Sequence, residues 1–196
     1  KENHTFAVLI AGRNEEKVIG NLIESIANQN YDKSLISVFV VADNCTDNTA
    51  LVAKQAIEKS QFGGWGIFER FNKELVGKGY ALDFLLDKIK TSKEIDETKI
   101  DAFLVFDADN LLDENFIYET NKVLDAGYDI STSYRNSKNF NTNTISANSG
   151  MIFLRECRFM HTPRAILNSS TFISGTGFMV STKILNTETG WKYTTL

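Results

Sequence analysis

Three apolar runs, Phe6 to Ala11, Ile36 to Ala42 (broken only by Ser37) and Phe103 to Phe106, each stop at a polar cluster. Runs this short and this uniformly apolar predict strands buried on both faces, as in a parallel sheet. Between them the apolar residues shift to helical spacing. Val18, Ile19, Leu22, Ile23 and Ile26 make one helix face, Leu51, Val52 and Ile57 a second, and Ala81, Leu82, Leu85, Leu86 and Ile89 a third. Asn14 and Thr46 are the expected N-caps of the first two helices, and Glu15 and Glu16 suit the positive end of the first. A glycine-rich link over 61–66 leads into a short strand from Trp65 to Glu69, and Gly77-Lys78-Gly79 opens the third helix. The charged stretch 91–99 reads as a loop. Asp113 is the expected cap of a fourth helix with Phe116, Ile117, Val123 and Leu124 inward, followed by a strand over 128–133. Strands alternating with helices through short connections predict an α/β fold: a mostly parallel, Rossmann-like central sheet with right-handed crossovers and helices on both faces.

The alternation stops near Arg135. Residues 136–148 are rich in Asn, Ser and Thr and predict a mobile loop. Residues 145–160 read as helical, with Pro163, the only proline, expected to end or interrupt the helix. Phe172-Ile173 then leads to Gly175-Thr176-Gly177 and a strand over 178–180. Two parts of one domain are therefore expected, 1–135 and 136–196.

In a parallel sheet the polar clusters after the first, second and central strands share one edge, the carboxyl edge where open α/β sheets bind ligands. That edge carries Arg13, Asp43, Asp107 and Asp109, with Lys78 at the start of a helix. Asp107 and Asp109 alternate by two, so both side chains point one way if the strand stays extended. Two carboxylates held together repel unless a cation lies between them. A hard ion such as Mg²⁺ or Mn²⁺ would relieve that repulsion and keep coordination positions open for phosphate. The plainer alternative is that Asp109 and Asn110 merely end the strand. Acids for a metal beside cations for phosphate suit a nucleoside diphosphate. Gly77-Lys78-Gly79 is no Walker loop, because Gly79 stands where Ser or Thr is needed, and no GxGxxG turn follows the first strand. His4 and His161 are isolated in the sequence and read as surface residues.

The chain has 196 residues, 42% hydrophobic and 23% charged, which suits a globular domain with a sizeable core. A net charge of −4 without a basic cluster argues against a nucleic-acid partner. Two cysteines, Cys45 and Cys157, are too few for a disulfide scaffold or a cysteine zinc site and fit a reducing compartment. The sequence begins at Lys1 and ends at Leu196, which reads as a fragment of a longer chain.

FAVLIAGRNEE, VVADNCTDNT, LVGKGYAL, FDADN, GTGF and GWKYTTL, in this order and spacing, resemble the inverting family 2 glycosyltransferases, closest to the membrane-linked polysaccharide-synthase type. The resemblance implies a glycosyltransferase A fold, a nucleotide-sugar donor (most often a UDP-sugar), a divalent cation, and a saccharide or lipid acceptor. It places Ala11, Arg13 and Glu15 on the loop at the nucleoside, and Asp43 at the uracil edge. It puts Lys78 near the phosphates, with Asp107, Ala108 and Asp109 as the DxD triplet. Asp109 is implied as the direct metal ligand and Asp107 as a ribose or metal-shell contact. Gly175, Thr176, Gly177 and Trp191 match the acceptor side. The family often has proline where Ala11 stands. The catalytic base, an Asp of a Glu-Asp pair, is expected just after Leu196, so no catalytic residue is assigned within these residues. A cytoplasmic domain attached to a membrane through other segments is the expected setting.

Three other readings compete. A sugar nucleotidyltransferase needs a glycine-rich loop that Ala11-Gly12-Arg13-Asn14 matches poorly. A DxDxT phosphatase needs threonine where Leu111 stands. A module that binds a nucleotide or sugar without chemistry would need only the donor half of the site.

Overall fold

The structure is a computed structural model that describes residues 3–92, 95–137, 144–167, 169–173 and 175–187. Its chain gathers into two compact units, 1–131 with 179–196, and 132–178. Strands β1 (Phe6–Gly12), β2 (Ile36–Asp43), β3 (Gly64–Arg70), β4 (Ala102–Asp107), β5 (Ile130–Thr132) and β6 (Phe178–Ser181) form a sheet in the order β3-β2-β1-β4-β6-β5. The β1–β2, β1–β4 and β2–β3 pairs are parallel. The expected parallel α/β architecture is what forms, and the strand order reverses beside β1, between β2 and β4.

Alternation explains why the runs are apolar throughout. Phe6, Val8 and Ile10 of β1, Ile36, Val38 and Val40 of β2, and Leu104 and Phe106 of β4 share one core with α1 (Ile19–Ala27), α2 (Thr49–Glu58) and Ile117 of α4 (Phe116–Asp125). The intervening Ala7, Leu9, Phe39, Val41, Phe103 and Val105 are equally buried and point to the opposite face. There α3 (Lys78–Thr91) packs across β1, β2 and β3 with Ala81, Leu82, Leu85, Leu86 and Ile89 buried. Leu85→Ala is expected to lower unfolding stability by about 2–5 kcal/mol, the usual loss for emptying a closed core site, read as a lower urea midpoint.

Several local expectations are corrected. Asn14 does not cap α1; it lies at φ 58°, in the left-handed region, and Val18 precedes the helix without a side-chain cap. Thr46 does not cap α2; Asp47 instead accepts from the Thr49 N–H at 3.0 Å. Asp113 accepts from the Asn115 N–H one turn before α4, so it shapes the entry rather than capping the helix. Pro163 does not end the helical run. Thr144–Arg155 gives way to a wider π-type stretch, Glu156–His161, directly before Thr162–Ile166, so the helix changes type ahead of Pro163 and is interrupted by a widening rather than ended. Within the expected loop 136–148, helix starts at Thr144 and residues 138–143 lie outside the described residues. His4 is only partly exposed. Its Nδ1 lies 3.5 Å from Asp101 Oδ2, and its Nε2 is buried without a hydrogen-bond partner among the described residues. His161 packs its ring against Phe172, centroids 4.5 Å apart.

Candidate nucleotide-binding site

The carboxyl ends of β1, β2 and β4 and the first turn of α3 enclose an open cleft. Ala11, Gly12, Arg13, Asp43, Val76, Gly77, Lys78, Ala81 and Asp107 line it, with ≈ 450 Å³ of space counted out to its mouth. Five residues singled out from sequence, Ala11, Arg13, Asp43, Lys78 and Asp107, thus come together. Ala108 is buried behind Gly12, where an added Cβ would stand 3.4 Å from that of Ala108. It supports the wall rather than facing the cleft.

Asp43 and Asp107 are the last residues of their strands, Arg13 follows directly after β1, and Lys78 opens α3. Asp43 closes β2, and in the parallel register it stands beside Arg70, the last residue of β3. Arg70 Nη1 donates to Asp43 Oδ1 at 2.6 Å, and both side chains are buried, 7% and 8% exposed. Arg70 Nη2 also donates to the Leu75 carbonyl at 2.7 Å, which anchors the loop before Gly77. Arg70 is a site residue that sequence reading missed. The signal lay in extending β3 one residue past Glu69, which sets a cation beside Asp43.

The loops after β1 and β2 are zipped together. Asn14 Oδ1 accepts from the Thr46 N–H at 2.7 Å, Glu16 Oε2 from the Asn48 N–H at 3.0 Å, and Thr49 Oγ1 from the Glu15 N–H at 2.8 Å. Asn44, also left-handed at φ 51°, exchanges two bonds with Asn72, which ties the loop after β2 to the one after β3. Asparagine enters the left-handed region more readily than most residues because its amide bonds locally. Asn14→Ala would lose the Thr46 bond and leave an alanine at positive φ. It is expected to lower stability by about 1–3 kcal/mol, with Asn14→Gly costing less because glycine relieves the strain. Chemical denaturation of the two variants checks the order.

Lys78 is the first residue of α3, so the cleft meets the positive end of a 14-residue helix, a ready environment for an anion. Lys78 Nζ lies 2.5 Å from Asp107 Oδ1, with the two side chains 31% and 41% exposed. An ion pair this open is worth about 0–1 kcal/mol, so an incoming phosphate can take over the ammonium at little expense.

Asp109 is not on β4 as the i, i+2 argument requires. The strand ends at Asp107, and a turn follows in which the Asn110 N–H donates to the Asp107 carbonyl at 3.1 Å. Asp109 is exposed there. Both carboxylates nevertheless bear on Glu15. Glu15 titrates above its usual range, first because it is partly buried and then because Asp109, Asp47 and Asp107 place negative charge around it. Among the described residues no group of three or more His, Cys, Asp or Glu forms a ready metal cage. A surplus of carboxylate oxygens without a closed cage fits a hard ion held by one or two side chains and completed by phosphate.

Gly175, Thr176 and Gly177 belong to the other unit, in a bend ahead of β6 with Gly175 and Gly177 at φ 61° and 69°. The Ser133 N–H donates to the Gly177 carbonyl at 3.0 Å. Trp191 lies outside the described residues, as does the end of the chain where a base was expected to follow.

Comparison with known proteins gives the family and the fold type. Residues 4–195 match the family described as glycosyltransferase like family 2, and the chain belongs to that family. It is 30% identical over 118 residues to the probable glycosyltransferase YdaM of Bacillus subtilis, covering 60% of this chain and 26% of that protein. The fold, of glycosyltransferase A type, is shared with mannosyltransferase PcManGT from Pyrobaculum calidifontis in complex with GDP-Man and Mn²⁺, at TM-score 0.66 and 17% identity over 97% of this chain and 48% of that one. S. aureus TarS 1–349 is similar at TM-score 0.59 and 17% identity, over 93% of this chain and 48% of that one. The chain thus spans about a quarter of the curated relative and about half of each solved structure.

Proposed function

We propose that the cleft binds a nucleotide-sugar and that the intact protein transfers the sugar to a saccharide or lipid acceptor with inversion. The observation that carries this reading is the convergence of Asp43, Arg13, Lys78 and Asp107 on one cleft at the positive end of α3. The donor is proposed to be a UDP-sugar. A carboxylate accepts a hydrogen bond from uracil N3–H. Adenine has no N–H on its ring at that edge, and guanine offers N1–H instead. Asp43, fixed through one oxygen by Arg70, is the acceptor for the base. Lys78 and Arg13 face the diphosphate. Asp107 and Asp109 would hold Mn²⁺ or Mg²⁺, which supplies Lewis-acid neutralisation of the charge that builds on the departing diphosphate. PcManGT with GDP-Man and Mn²⁺, and TarS 1–349 with UDP-GlcNAc (TM-score 0.50, 21% identity, 64% of this chain and 33% of that one), support this class of donor.

The acceptor hydroxyl must lose its proton as it attacks, and that base is proposed to lie in sequence following Leu196. One displacement inverts the anomeric carbon, so an α-linked donor gives a β-linked product. The domain is proposed to work on the cytoplasmic side of a membrane. A polypeptide extended past Leu196, given a UDP-sugar and Mn²⁺, should form product whose anomeric proton coupling by NMR shows inversion. Retained configuration would overturn the single-displacement mechanism.

A further inference from the structure

The unit 132–178 departs from the rest of the chain in two ways at once. Its large apolar side chains are turned outward: Phe159 and Leu167 are 77% exposed, Ile166 75%, Met151 59% and Ile152 54%. Its charge is also reversed. Arg135, Lys138, Arg155, Arg158 and Arg164 stand against a single acid, Glu156, in a chain whose net charge is −4. Glu156 is neutralised inside the unit, with its Oε2 3.0 Å from Arg135 Nη2, while the same guanidinium lies over the Phe153 ring at 5.0 Å. Arg155, Arg158 and Arg164 are exposed and make no ion pair among the described residues, although Arg164 also donates to the Ser170 carbonyl.

Spacing puts the two features together. Met151, Arg155, Phe159, Pro163 and Leu167 recur every four residues along the continuous helical run, as do Arg158, Thr162 and Ile166. Residues four apart are neighbours on a helix surface. Cys157, on the other side of the run, is buried. The exposed side is therefore apolar with arginines set into it, the pattern of a helix that lies in a membrane interface. Arginine stems can cover apolar surface while the guanidinium groups reach lipid phosphates. No helix among the described residues is long and apolar enough to cross a membrane, so insertion here is in-plane. A second copy of the chain is the poorer occupant, because a two-fold contact would face these arginines with their own equivalents. Nucleic acid is poorer too, since it gives Met151, Ile152, Ile166 and Leu167 nothing apolar to bury against.

We propose that the face bearing Met151, Phe159, Ile166 and Leu167 with Arg155, Arg158 and Arg164 docks onto an anionic lipid bilayer. The proposal rests on these residues and does not depend on the donor-site reading. The test is co-sedimentation of the 196-residue chain with phosphatidylcholine vesicles and with vesicles containing phosphatidylglycerol, at low and high salt. The chain should sediment with the anionic vesicles at low salt and much less with the neutral ones. Arg155→Gln/Arg158→Gln/Arg164→Gln should weaken binding by on the order of a hundredfold. Phe159→Ser/Ile166→Ser should weaken it at least about tenfold, with circular dichroism and thermal melting unchanged in both variants. Failure to bind anionic vesicles at low salt overturns the proposal. So does binding that both variants leave intact, or a concentration-dependent dimer by light scattering that Phe159→Ser/Ile166→Ser dissolves while vesicles remain unbound.

Discussion

Asp109→Ala is expected to abolish metal-dependent nucleotide binding while the protein melts as before. The side chain is exposed in the turn after β4 and contributes nothing to the core, so its removal leaves the sheet intact. It is also one of three acids whose charge raises the Glu15 pKa, behind the larger effect of burial, which places it near the carboxylate cluster. Loss of an outer-shell partner of a metal typically lowers affinity by about 10–100-fold, and loss of a direct ligand should exceed that. Calorimetry should therefore show that Mn²⁺ strengthens UDP binding to the parent and does nothing for the variant. Equal strengthening in both would remove Asp109 from the metal site and leave Asp107 with Glu15 as the acids to test.

Arg70→Met is expected to reduce both stability and binding. Arg70 and Asp43 are buried together at 2.6 Å, and deleting one partner strands the other's charge out of water. Breaking such a pair costs about 3–5 kcal/mol, far more than opening the exposed Lys78–Asp107 pair. UDP and UMP should weaken alike, because Asp43 is proposed to meet the base, which both share. Asp43→Leu combined with Arg70→Met should recover much of the stability, since buried pairs are often replaced by apolar residues without loss, yet should not recover binding. Urea midpoints and calorimetry on the two variants separate the structural role from the recognition role. If Arg70→Met binds UDP like the parent, Asp43 needs no partner to present its carboxylate.

The sheet was legible because its chemistry is local and one-sided. Phe6 to Ala11, Ile36 to Ala42 and Phe103 to Phe106 are buried on both faces save the half-buried Ala11 and Ser37, so runs this apolar had little alternative but to be central strands. Once those strands are parallel, Asp43 and Asp107 must share an edge. The loops were less legible because asparagine and threonine can satisfy a helix end or a neighbouring loop equally well. Asn14 was expected to cap the helix that follows it and instead bonds across to Thr46 in the loop after β2. Arg70 was missed for a related reason: nothing within 61–70 says that its charge is buried, and only the register with Asp43 does. Pro163 was expected to end or interrupt the helix, and the second is what occurs: the run widens over Glu156–His161 just ahead of it and then continues. Asp107 and Asp109 were identified as a pair through a strand geometry that ends at Asp107, so proximity to Glu15 rather than alternation now links them.

The central claim is that the cleft beside Lys78 and Asp107 receives a nucleoside diphosphate together with a divalent cation. Calorimetric titration of the chain with UDP, GDP and ADP, each with and without Mn²⁺, tests it most directly. Mn²⁺ should strengthen binding, with UDP ahead of GDP and ADP weakest. Binding of UDP that is indifferent to Mn²⁺, or ADP bound as well as UDP, would contradict it.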